Sequence, residues 1–563
     1  SFRQKKKTSK VAMIVSPLLL VVLHPCLAFA QTSPIAWTRC ALYTEGIGPV
    51  LEDMGCQRAE GDLIAECAAI QAPLNYSGLA SEPRIHLFVK RVLAPQQPAI
   101  GEIWLINGGP GETGAPMECL LADFLSMTNS SFNLILPDHR GVGRSSPLDC
   151  GHQARHDTVA CLKKAIQLNG AERLQSFTVT NAARDIQFAI ELEKTRQPAG
   201  YMRMLYSLSY GTYLAQRYLQ LYPNEMQAIV LDGVCAPDLT RVTYGDYGMS
   251  AAGNVFLSEC GSDKTCAEHL SQYPTYSMHL LYDLIRSGQL EACTRAIGLA
   301  PLNTSTVQEL LAMMIVDWQK RLLIGPTIRR FLRCHEDDII QLRHLFHDSF
   351  ASGGYLQESW YHRHITSPAT VFPKLLRHAR TNVSIVGVDG NFLLAFNILI
   401  SELKAFNYTP MTLQQAIAEE VLLSFGADTG HFDEALLANV SEWPVYTPEQ
   451  DLYSKYPSTK ANLLLMTGTM DPQTPFTWIL RAKQFYTRSN QHVVSIPHAV
   501  HGSAFPGKSP VQTTKEGGIS ERSCGMQIAG SFLLELGEHM DLSCLGRLLS
   551  PDFAGAHAES QAL

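Results

Sequence analysis

The stretch that decides the fold is MRMLYSLSYGTYLAQRYLQL, residues 202–221. It begins with an apolar run typical of a buried strand and continues with apolar side chains at helical spacing. The junction reads Ser207-Leu208-Ser209-Tyr210-Gly211. A sharp strand-to-helix turn raises a serine hydroxyl above a sheet, and it needs small residues two positions to either side. Gly211 meets that need and Ser207 replaces the usual glycine, so we predict Ser209 as a nucleophile.

Further strand-like runs lie on both sides of this stretch. They occupy residues 84–92, 103–106, 132–136 and 228–231, and later residues 461–466 and 492–496. Buried strands that are separated by helical segments and closed by glycine-rich turns indicate a parallel sheet. Because ligands of such sheets sit at the carboxyl ends of the strands, we expect the functional site along that edge.

The middle of the chain has a different character. Helical patterns such as residues 306–319 and 411–423 dominate there, and buried strand runs are scarce. We therefore predict an α/β-hydrolase fold, in which helices flank a mostly parallel sheet and a large, mainly helical cap is inserted. The predicted divisions are a leader over 1–30, the core over 31–235 and 458–563, and the cap over 236–457.

A serine nucleophile needs a base, and the base needs an acid that orients it. In this fold the acid and then the histidine follow the serine along the chain. Asp471 comes just after the strand run 461–466, and His501 comes just after the run 492–496. An Asp before Pro also favours a turn, and a loop histidine is often merely exposed. Order and placement predict Ser209, Asp471 and His501 as the catalytic residues, with His498 as the rival base.

Acyl transfer also needs hydrogen-bond donors for the oxyanion that develops on the substrate. One predicted donor is the backbone N–H of Tyr210, the residue after the nucleophile. The other would come from Asn107-Gly108-Gly109-Pro110-Gly111, where glycines permit a close backbone approach. We favour Gly109, with Gly108 next, and a simple Gly-Pro turn is the alternative. The pattern lacks the Gly-Lys-Ser/Thr ending of a phosphate loop.

The N-terminal residues have the pattern of a secretory signal peptide. A basic start is followed by an apolar run over 11–23 and then by Ala28-Phe29-Ala30. We predict cleavage near Ala30. An uncleaved signal anchor is the alternative, although His24-Pro25 interrupts the apolar stretch. No later segment stays apolar for the roughly 20 residues that spanning requires, so we expect no stable membrane insertion after cleavage.

Glycosylation sequons and cysteines agree with export. Asn-X-Ser/Thr occurs at Asn75, Asn129, Asn303, Asn382, Asn407 and Asn439. Of the 14 cysteines, Cys26 lies in the leader, so an odd number remains and at least one stays unpaired or pairs with another molecule. Short separations suggest the pairs Cys150/Cys161, Cys260/Cys266 and Cys524/Cys544. No cysteine or histidine spacing fits zinc, so we predict structural disulfides and no metal or other cofactor.

The charge balance narrows the possible partners. The formal net charge is −7, and removal of the basic leader makes it more negative. An acidic chain without a basic patch is a poor candidate for binding nucleic acid or anionic membranes. It suits a cationic or neutral substrate slightly better.

Five segments resemble one known family. They are WLINGGPG at 104–111, PDHRGVGRS at 137–145, SYGTYLAQRYLQLYP at 209–223, LDGV at 231–234 and TGTMDPQTP at 467–475. These segments look like the prolyl- and tripeptidyl-aminopeptidase family of α/β-hydrolase serine peptidases, and the secreted tripeptidyl-aminopeptidase-like branch matches best. The resemblance runs from about residue 67 to 544 and is poor in the cap.

The resemblance implies an exopeptidase that acts near a free N-terminus. Ser209, Asp471 and His501 match the family's triad, and Gly109 and Tyr210 match its oxyanion hole. The segment Asp138-His139-Arg140-Gly141 is implied to be structural, with Asp and Arg bracing the sheet edge. Two departures concern substrate preference: Glu112-Thr113 follows GGPG where the family has Gly and Ser, and Ser207-Leu208 stands where glycine is common.

These observations lead to one expected function and two alternatives. We expect a secreted serine exopeptidase for peptides with a free N-terminus, in an extracellular or a lysosome-like compartment. The alternatives are an esterase on small acyl substrates and a catalytically silent binding protein. A carboxylate would bind the substrate ammonium. The candidates for that carboxylate are Glu112, Glu118, Glu336, Asp337 and Asp338.

Overall fold

The computed structural model describes most of the chain. The described residues are 34–59, 61–78, 81–151, 158–240, 245–297, 304–350, 390–403, 425, 442–512, 520 and 522–553. The predicted leader, the predicted helix over 411–423 and the sequons at Asn303, Asn382, Asn407 and Asn439 lie outside these residues. Among the described helices, none combines the length and the apolar character needed to cross a bilayer.

A nine-stranded sheet forms the centre of the described structure. Its strands are β1 Thr38–Cys40, β2 Ala65–Pro73, β3 Arg84–Val92, β4 Gly101–Ile106, β5 Phe132–Pro137, β6 Met202–Leu208, β7 Ala228–Asp232, β8 Asn462–Gly468 and β9 Gln491–Ile496. The spatial order is β1-β2-β3-β5-β4-β6-β7-β8-β9. The β1–β2, β2–β3 and β3–β5 pairs are antiparallel, and the remaining pairs are parallel.

Helices cover the sheet and build a separate layer. They are α1 Gly48–Asp53, α2 Leu121–Met127, α3 Thr158–Asn169, α4 Ala171–Ser176, α5 Val179–Lys194, α6 Tyr210–Leu221, α7 Gly245–Ser262, α8 Lys264–His269, α9 Pro274–Arg286, α10 Glu291–Ala296, α11 Thr304–Ile315, α12 Ile324–Arg333, α13 Glu336–Phe350, α14 Phe392–Ser401, α15 Phe476–Ala482 and α16 Cys524–Leu534. Short 3₁₀ helices occur at Ala115–Leu120, Lys320–Leu323 and Ser543–Arg547.

The burial of the strands explains why the sheet was visible in the sequence. All residues of β4 and of β7 are buried, as expected for parallel strands with helices on both faces. Strands β1 and β2 were not predicted. β1 is largely exposed, and β2 mixes buried and exposed residues without a continuous apolar run. With a mostly parallel sheet and helices on both faces, the structure confirms the α/β-hydrolase fold.

Three apolar clusters make up the core of the part of the chain that the structure describes. Two of them lie on the two faces of the sheet, one with α5 and α6 and the other with α2 and α16. The third joins residues of α7 to α13 and of the 3₁₀ helix Lys320–Leu323, and we call these helices the helical layer. Met470, from the loop after β8, belongs to this third cluster. One residue next to Asp471 is therefore buried in the helical layer.

Helix α14 does not belong to the helical layer, although it falls inside the predicted cap over 236–457. Its sequence FLLAFNILIS is apolar on all sides, so it is stable only where neighbours surround it. It packs in the cluster of α5 and α6, and Asn397 Nδ2 donates to the carbonyls of Leu174 and Phe177 at 3.1 Å each. Of the described helices within residues 236–457, α7 to α13 form the helical layer and α14 packs in the core.

Six disulfides connect the described cysteines. They include the three predicted pairs, Cys150–Cys161, Cys260–Cys266 and Cys524–Cys544, and also Cys40–Cys67, Cys56–Cys119 and Cys293–Cys334. Within the described part of the chain Cys235 is the free cysteine, in line with the odd count. Burial raises the pKa of its thiol to about 12, so it stays protonated and inert.

Candidate active site

Ser209 occupies a strained turn between β6 and α6. Its backbone has φ 55° and ψ −129°, a conformation that residues other than glycine rarely adopt. The tight packing at Gly211 explains the small residue there, because an added Cβ would lie 2.6 Å from the carbonyl oxygens of Ile106 and Asn107. Ser207 is buried as well, and its hydroxyl donates to the Val230 carbonyl at 3.1 Å. The junction therefore has the geometry expected of a nucleophile turn.

Asp471 and His501 are hydrogen-bonded partners. His501 Nδ1 lies 2.8 Å from Asp471 Oδ2, and the carboxylate is 2% exposed. Asp471 also accepts from the backbone N–H groups of Gln473 and Thr474, at 2.9 Å each. The Thr474 hydroxyl donates to the same carboxylate at 2.7 Å. The Asp before Pro therefore forms a turn and at the same time orients the imidazole.

Ser209 and His501 line one cavity, and Nε2 is the imidazole nitrogen that remains for the serine. Among the described residues, His501 Nε2 is buried without a hydrogen-bond partner, and no hydrogen bond joins it to Ser209. Hydrogen bonds between a base and its nucleophile are often long before substrate binds and tighten in the complex. The structure thus joins acid to base and places the nucleophile in the same cavity.

Carboxylates control the protonation of His501. Burial lowers the pKa of the imidazole, but the charges of Asp471, Asp232 and Glu112 outweigh that effect and raise it above the ordinary value. Negatively charged carboxylates around His501 stabilise an imidazolium, which is the state that forms when a histidine accepts a proton.

Asp232, at the end of β7, has a positional role that the sequence analysis did not assign. It is fully buried and accepts hydrogen bonds from the hydroxyls of Ser503 and Tyr206, both at 2.8 Å, and from the Ala504 N–H at 3.0 Å. Burial raises the pKa of its carboxyl. It therefore anchors the chain just after His501. The signal in the sequence was an Asp-Gly that ends a buried strand.

The loop Asn107-Gly108-Gly109-Pro110-Gly111 passes directly over the nucleophile. An added Cβ on Gly108 would lie 2.9 Å from Ser209 Cβ, and Gly109 has φ +103°. Asn107 Nδ2 braces the loop by donating to the Thr113 carbonyl at 2.8 Å. The Tyr210 N–H is at the start of α6, where helical N–H groups lack intrahelical partners. Tyr210 thus follows Ser209 directly, and Gly109 lines the same cavity as Ser209, with Gly108 making the closest approach to the nucleophile.

The cavity has a volume of about 390 Å³, within the range of roughly 300–1,000 Å³ typical of small-ligand sites. The core contributes Ser209, His501 and the glycine loop to its lining. The turn that follows α11 contributes residues 316–319, among them Asp317 and Trp318. Asp53 and Glu112 also line it, and Lys508 is the one lysine among the described residues of the lining. The lining therefore favours a cationic group.

The five carboxylates predicted as candidates for binding the substrate ammonium differ in their positions relative to the cavity. Glu112 lines the cavity. Glu118 is buried and bound to Lys90 at 2.5 Å, so its charge is already neutralised. Asp338 is buried and pairs with Arg330 and Arg333. Glu118 and Asp338 therefore have structural roles, because both are already engaged in ion pairs.

The other two candidates and the rival base lie elsewhere. Glu336 and Asp337 are exposed at the start of α13, and the described lining of the cavity does not include them. His498 faces Glu259 of α7, with Nδ1 3.0 Å from Oε2, rather than the nucleophile. Asp53 and Asp317 are described cavity acids that the sequence analysis missed, because neither position gave a local signal.

The segment Asp138-His139-Arg140-Gly141 has structural contacts. Arg140 is buried, binds Asp185 through two nitrogens at 2.6 and 2.7 Å, and donates to the Leu74 carbonyl. Asp138 accepts from the Gly114 N–H at 2.9 Å. The segment therefore braces the sheet edge under the glycine loop. Among the described residues no group of His, Cys, Asp and Glu could hold a metal ion.

Comparison with protein families divides the site between two matches. A family described as "alpha/beta hydrolase fold" matches residues 103–247, which include Ser209. A family described as "TAP-like protein" matches residues 430–516, which include Asp471 and His501. The chain is therefore an α/β hydrolase by fold, with a TAP-like segment in its second part.

Three curated relatives show a distant similarity. "Putative hydrolase YuaR" of Escherichia coli (strain K12) is 23% identical over 45% of this chain and 52% of its own length. "Tripeptidyl aminopeptidase" of Streptomyces lividans is 24% identical over 32% of this chain and 37% of its length. "Proline iminopeptidase" of Aeromonas sobria is 28% identical over 31% and 39%. The chain thus spans about half or less of the length of these relatives.

Proposed function

We propose that the protein is a secreted serine exopeptidase that hydrolyses peptide bonds near a free N-terminus. One observation carries the proposal: a serine in a strained strand-to-helix turn shares a cavity with an imidazole that a buried aspartate holds at 2.8 Å. Such an arrangement is typical of serine hydrolases, whose nucleophile is activated by an oriented histidine.

In the proposed mechanism His501 takes the hydroxyl proton while Ser209 Oγ attacks the scissile carbonyl. Asp471 stabilises the imidazolium, and the backbone N–H groups of Tyr210 and Gly109 donate to the oxyanion. The imidazolium gives its proton to the leaving amine, and an acyl-enzyme forms. Water then attacks the ester with His501 as base, which releases the N-terminal fragment and restores Ser209.

The lining of the cavity supports a substrate with a free amine. Glu112 and Asp317 bring negative charge close to the nucleophile, and a substrate ammonium would neutralise it. Two of the three relatives are named as aminopeptidase or iminopeptidase, which favours the same substrate class.

The experiment compares three substrates on the wild type and on Ser209→Ala. We expect hydrolysis of a peptide amide with a free amine and much slower hydrolysis of its N-acetyl form, because acetylation removes the positive charge. Ser209→Ala should lower kcat by about 10⁴-fold or more. A simple ester cleaved faster than the free-amine peptide would favour the esterase alternative.

A matched control separates the chemistry from the packing at the turn. Ser207→Ala removes a buried hydroxyl two residues away, whose hydrogen bond to Val230 contributes about 1 kcal/mol to stability. It should keep kcat near the wild-type value. Equal turnover in Ser209→Ala and Ser207→Ala would refute Ser209 as the nucleophile.

The proposed compartment is extracellular or lysosome-like. Six disulfides support it, since disulfides persist in oxidising environments and are rare in the cytosol. Asn129 is exposed in the turn between α2 and β5, where a glycan would find room. Glycosidase treatment of protein from a eukaryotic host should lower its apparent mass, and an unchanged mass would contradict the glycosylation.

A further inference from the structure

His498, three residues before His501, has a strained backbone and several contacts. Its φ is +59°, in the left-handed region that favours glycine and asparagine. It belongs to the base loop, residues 497–510, which lies beside the acid loop, residues 469–475. The His498 N–H donates to the Thr469 hydroxyl at 2.9 Å. His498 therefore lies where the two loops meet.

The backbones of the two loops are joined directly. The Thr469 N–H donates to the Ile496 carbonyl at 3.0 Å, and the Met470 N–H donates to the Ala499 carbonyl at 3.1 Å. The second bond comes immediately before Asp471 on one side and two residues before His501 on the other, and the first joins the acid loop to the end of β9. A displacement of either loop at this point therefore changes the alignment of the acid with the base.

Residues of the helical layer also contact the two loops where they meet. Glu259 on α7 places its two carboxylate oxygens 3.0 and 3.1 Å from His498 Nδ1. Arg321, from the 3₁₀ helix Lys320–Leu323, donates through Nη1 to the His498 carbonyl at 2.9 Å. The same Nη1 lies 3.0 Å from Met470 Sδ. Two charged side chains of the helical layer thus meet the two loops at His498 and Met470.

Arg321 also connects these contacts to the wall of the cavity. Its guanidinium lies 4.2 Å from the ring centroid of Trp318, which lines the cavity. Arg321 is fully buried, and burial lowers its pKa to about 10, so it keeps its charge at neutral pH. Arg321 therefore contacts both Trp318 in the cavity wall and the His498 carbonyl in the base loop.

We propose that His498 is a positioning residue that fastens the helical layer to the acid and base loops and so keeps Asp471 and His501 aligned with Ser209. The proposal rests on the proposed function, because it takes His501 as the base and Asp471 as its orienting acid. A misplacement of about 1 Å between reacting groups costs up to about 100-fold in rate. His498 acts through that alignment and does not touch the substrate.

Two substitutions separate the side-chain contact from the backbone strain. In His498→Asn the amide nitrogen takes the place of Nδ1 and donates to Glu259, and asparagine tolerates a left-handed backbone. Asparagine has no basic nitrogen, so this variant also tests the alternative hypothesis that His498 is the catalytic base. In His498→Gly the backbone is relaxed and the contact with Glu259 is lost.

The readout is the second-order rate at which a fluorophosphonate labels Ser209, because it needs no knowledge of the substrate. We expect His498→Asn to be labelled within about 2-fold of the wild-type rate, and His498→Gly about 10-fold more slowly. If His498→Gly does not fold, Glu259→Gln removes the charge of the acceptor that His498 Nδ1 contacts and should slow labelling about 3-fold, because hydrogen bonds to charged groups are the stronger ones.

The pH profile of labelling distinguishes positioning from a purely structural role. Asp471, Asp232 and Glu112 raise the pKa of His501, with Asp471 in direct contact. Misalignment weakens that contact, so the acid limb of the profile should move to lower pH in His498→Gly. A profile and a rate equal to the wild type would overturn the proposal. Labelling of His498→Asn as slow as that of His501→Ala would also overturn it, because His498 would then be the base.

The failure of the proposed function has a different result. If Ser209→Ala is labelled as fast as the wild type, the nucleophile is wrong and the whole mechanism falls. If the wild type is labelled at Ser209 and His498→Gly behaves like it, the mechanism stands and the positioning role is wrong.

Discussion

At the scale of single residues, the site combines strain with charge. The backbone of Ser209 costs of the order of 1–3 kcal/mol, because a non-glycine residue with positive φ is held away from its preferred conformations. The surrounding structure enforces it: the Ser209 N–H donates to the Asp232 carbonyl at 2.9 Å, and Gly211 leaves no space for α6 to shift. This strain keeps the hydroxyl exposed to the cavity.

The charge on Glu112 should determine part of the pH dependence of activity. The base works in its neutral form, so activity is lost as the pH falls through the pKa of His501. Glu112 raises that pKa, and Glu112→Gln should therefore lower it. We expect the acid limb of kcat/KM to move to lower pH, because the imidazolium loses one of the negative charges that stabilise it.

A second acid of the same cavity provides the control for this shift. Asp53 lines the cavity and is exposed, and it is not among the charges that raise the pKa of His501. Asp53→Asn should leave the acid limb in place. An unchanged limb in Glu112→Gln would show that its charge does not reach the imidazole.

At the scale of elements, the neighbouring strands β8 and β9 place the acid beside the base. They are parallel and in register, with Gly468 opposite Ile496. Gly468 ends β8 and packs against the Ala499 carbonyl, where any side chain would overlap the backbone. The close approach allows the acid loop and the base loop to share hydrogen bonds.

Gly468→Ala should therefore damage both stability and activity. The added methyl group overlaps the backbone of the base loop, and overpacking of this kind costs about 1–3 kcal/mol. We expect a lower midpoint in urea and a reduced kcat/KM in the folded protein. Gly546→Ala is the control, because a Cβ there meets nothing within 4 Å. Equal midpoints in the two variants would contradict the close packing at Gly468.

At the scale of the whole molecule, the helical layer has its own apolar cluster. Residues 249–342 supply most of it, together with Met470, Phe425 and Phe553. The disulfide Cys293–Cys334 closes a loop of 41 residues within this layer, and Cys524–Cys544 closes one of 20 residues in the core. The two disulfides therefore restrain different parts of the chain.

Removal of the Cys293–Cys334 disulfide should loosen the helical layer selectively. By chain entropy a loop of 41 residues is worth about 4 kcal/mol, so Cys293→Ala/Cys334→Ala should be destabilised by that order. Hydrogen exchange should rise in residues 249–342 and stay low in β4 to β8. The control Cys524→Ala/Cys544→Ala should raise exchange in α16 instead. A uniform rise in the first variant would show that the layer and the core unfold as one unit.

The central parallel strands and the chain order of Ser209, Asp471 and His501 were predictable because their signals are local. A buried parallel strand is a continuous apolar run, and a turn residue follows it directly. The antiparallel strand β2 was missed because its burial is partial and supplied by neighbours. Glu118 was a candidate ligand in the sequence, and its buried pairing with Lys90 removes it. A carboxylate on the surface and one in a buried ion pair look alike in a sequence.

The fold class, the predicted nucleophile turn and the order of the predicted triad could be obtained from the sequence alone, since each strand run and the turn residue that follows it form a local signal. The tertiary structure decided that Asp232 anchors the base loop, that α14 belongs to the core, and that His498 meets Glu259 across 239 residues of chain. The physical reason is that such contacts depend on how strands and helices pack against each other. No local pattern of apolar and polar residues specifies which distant side chain becomes the partner.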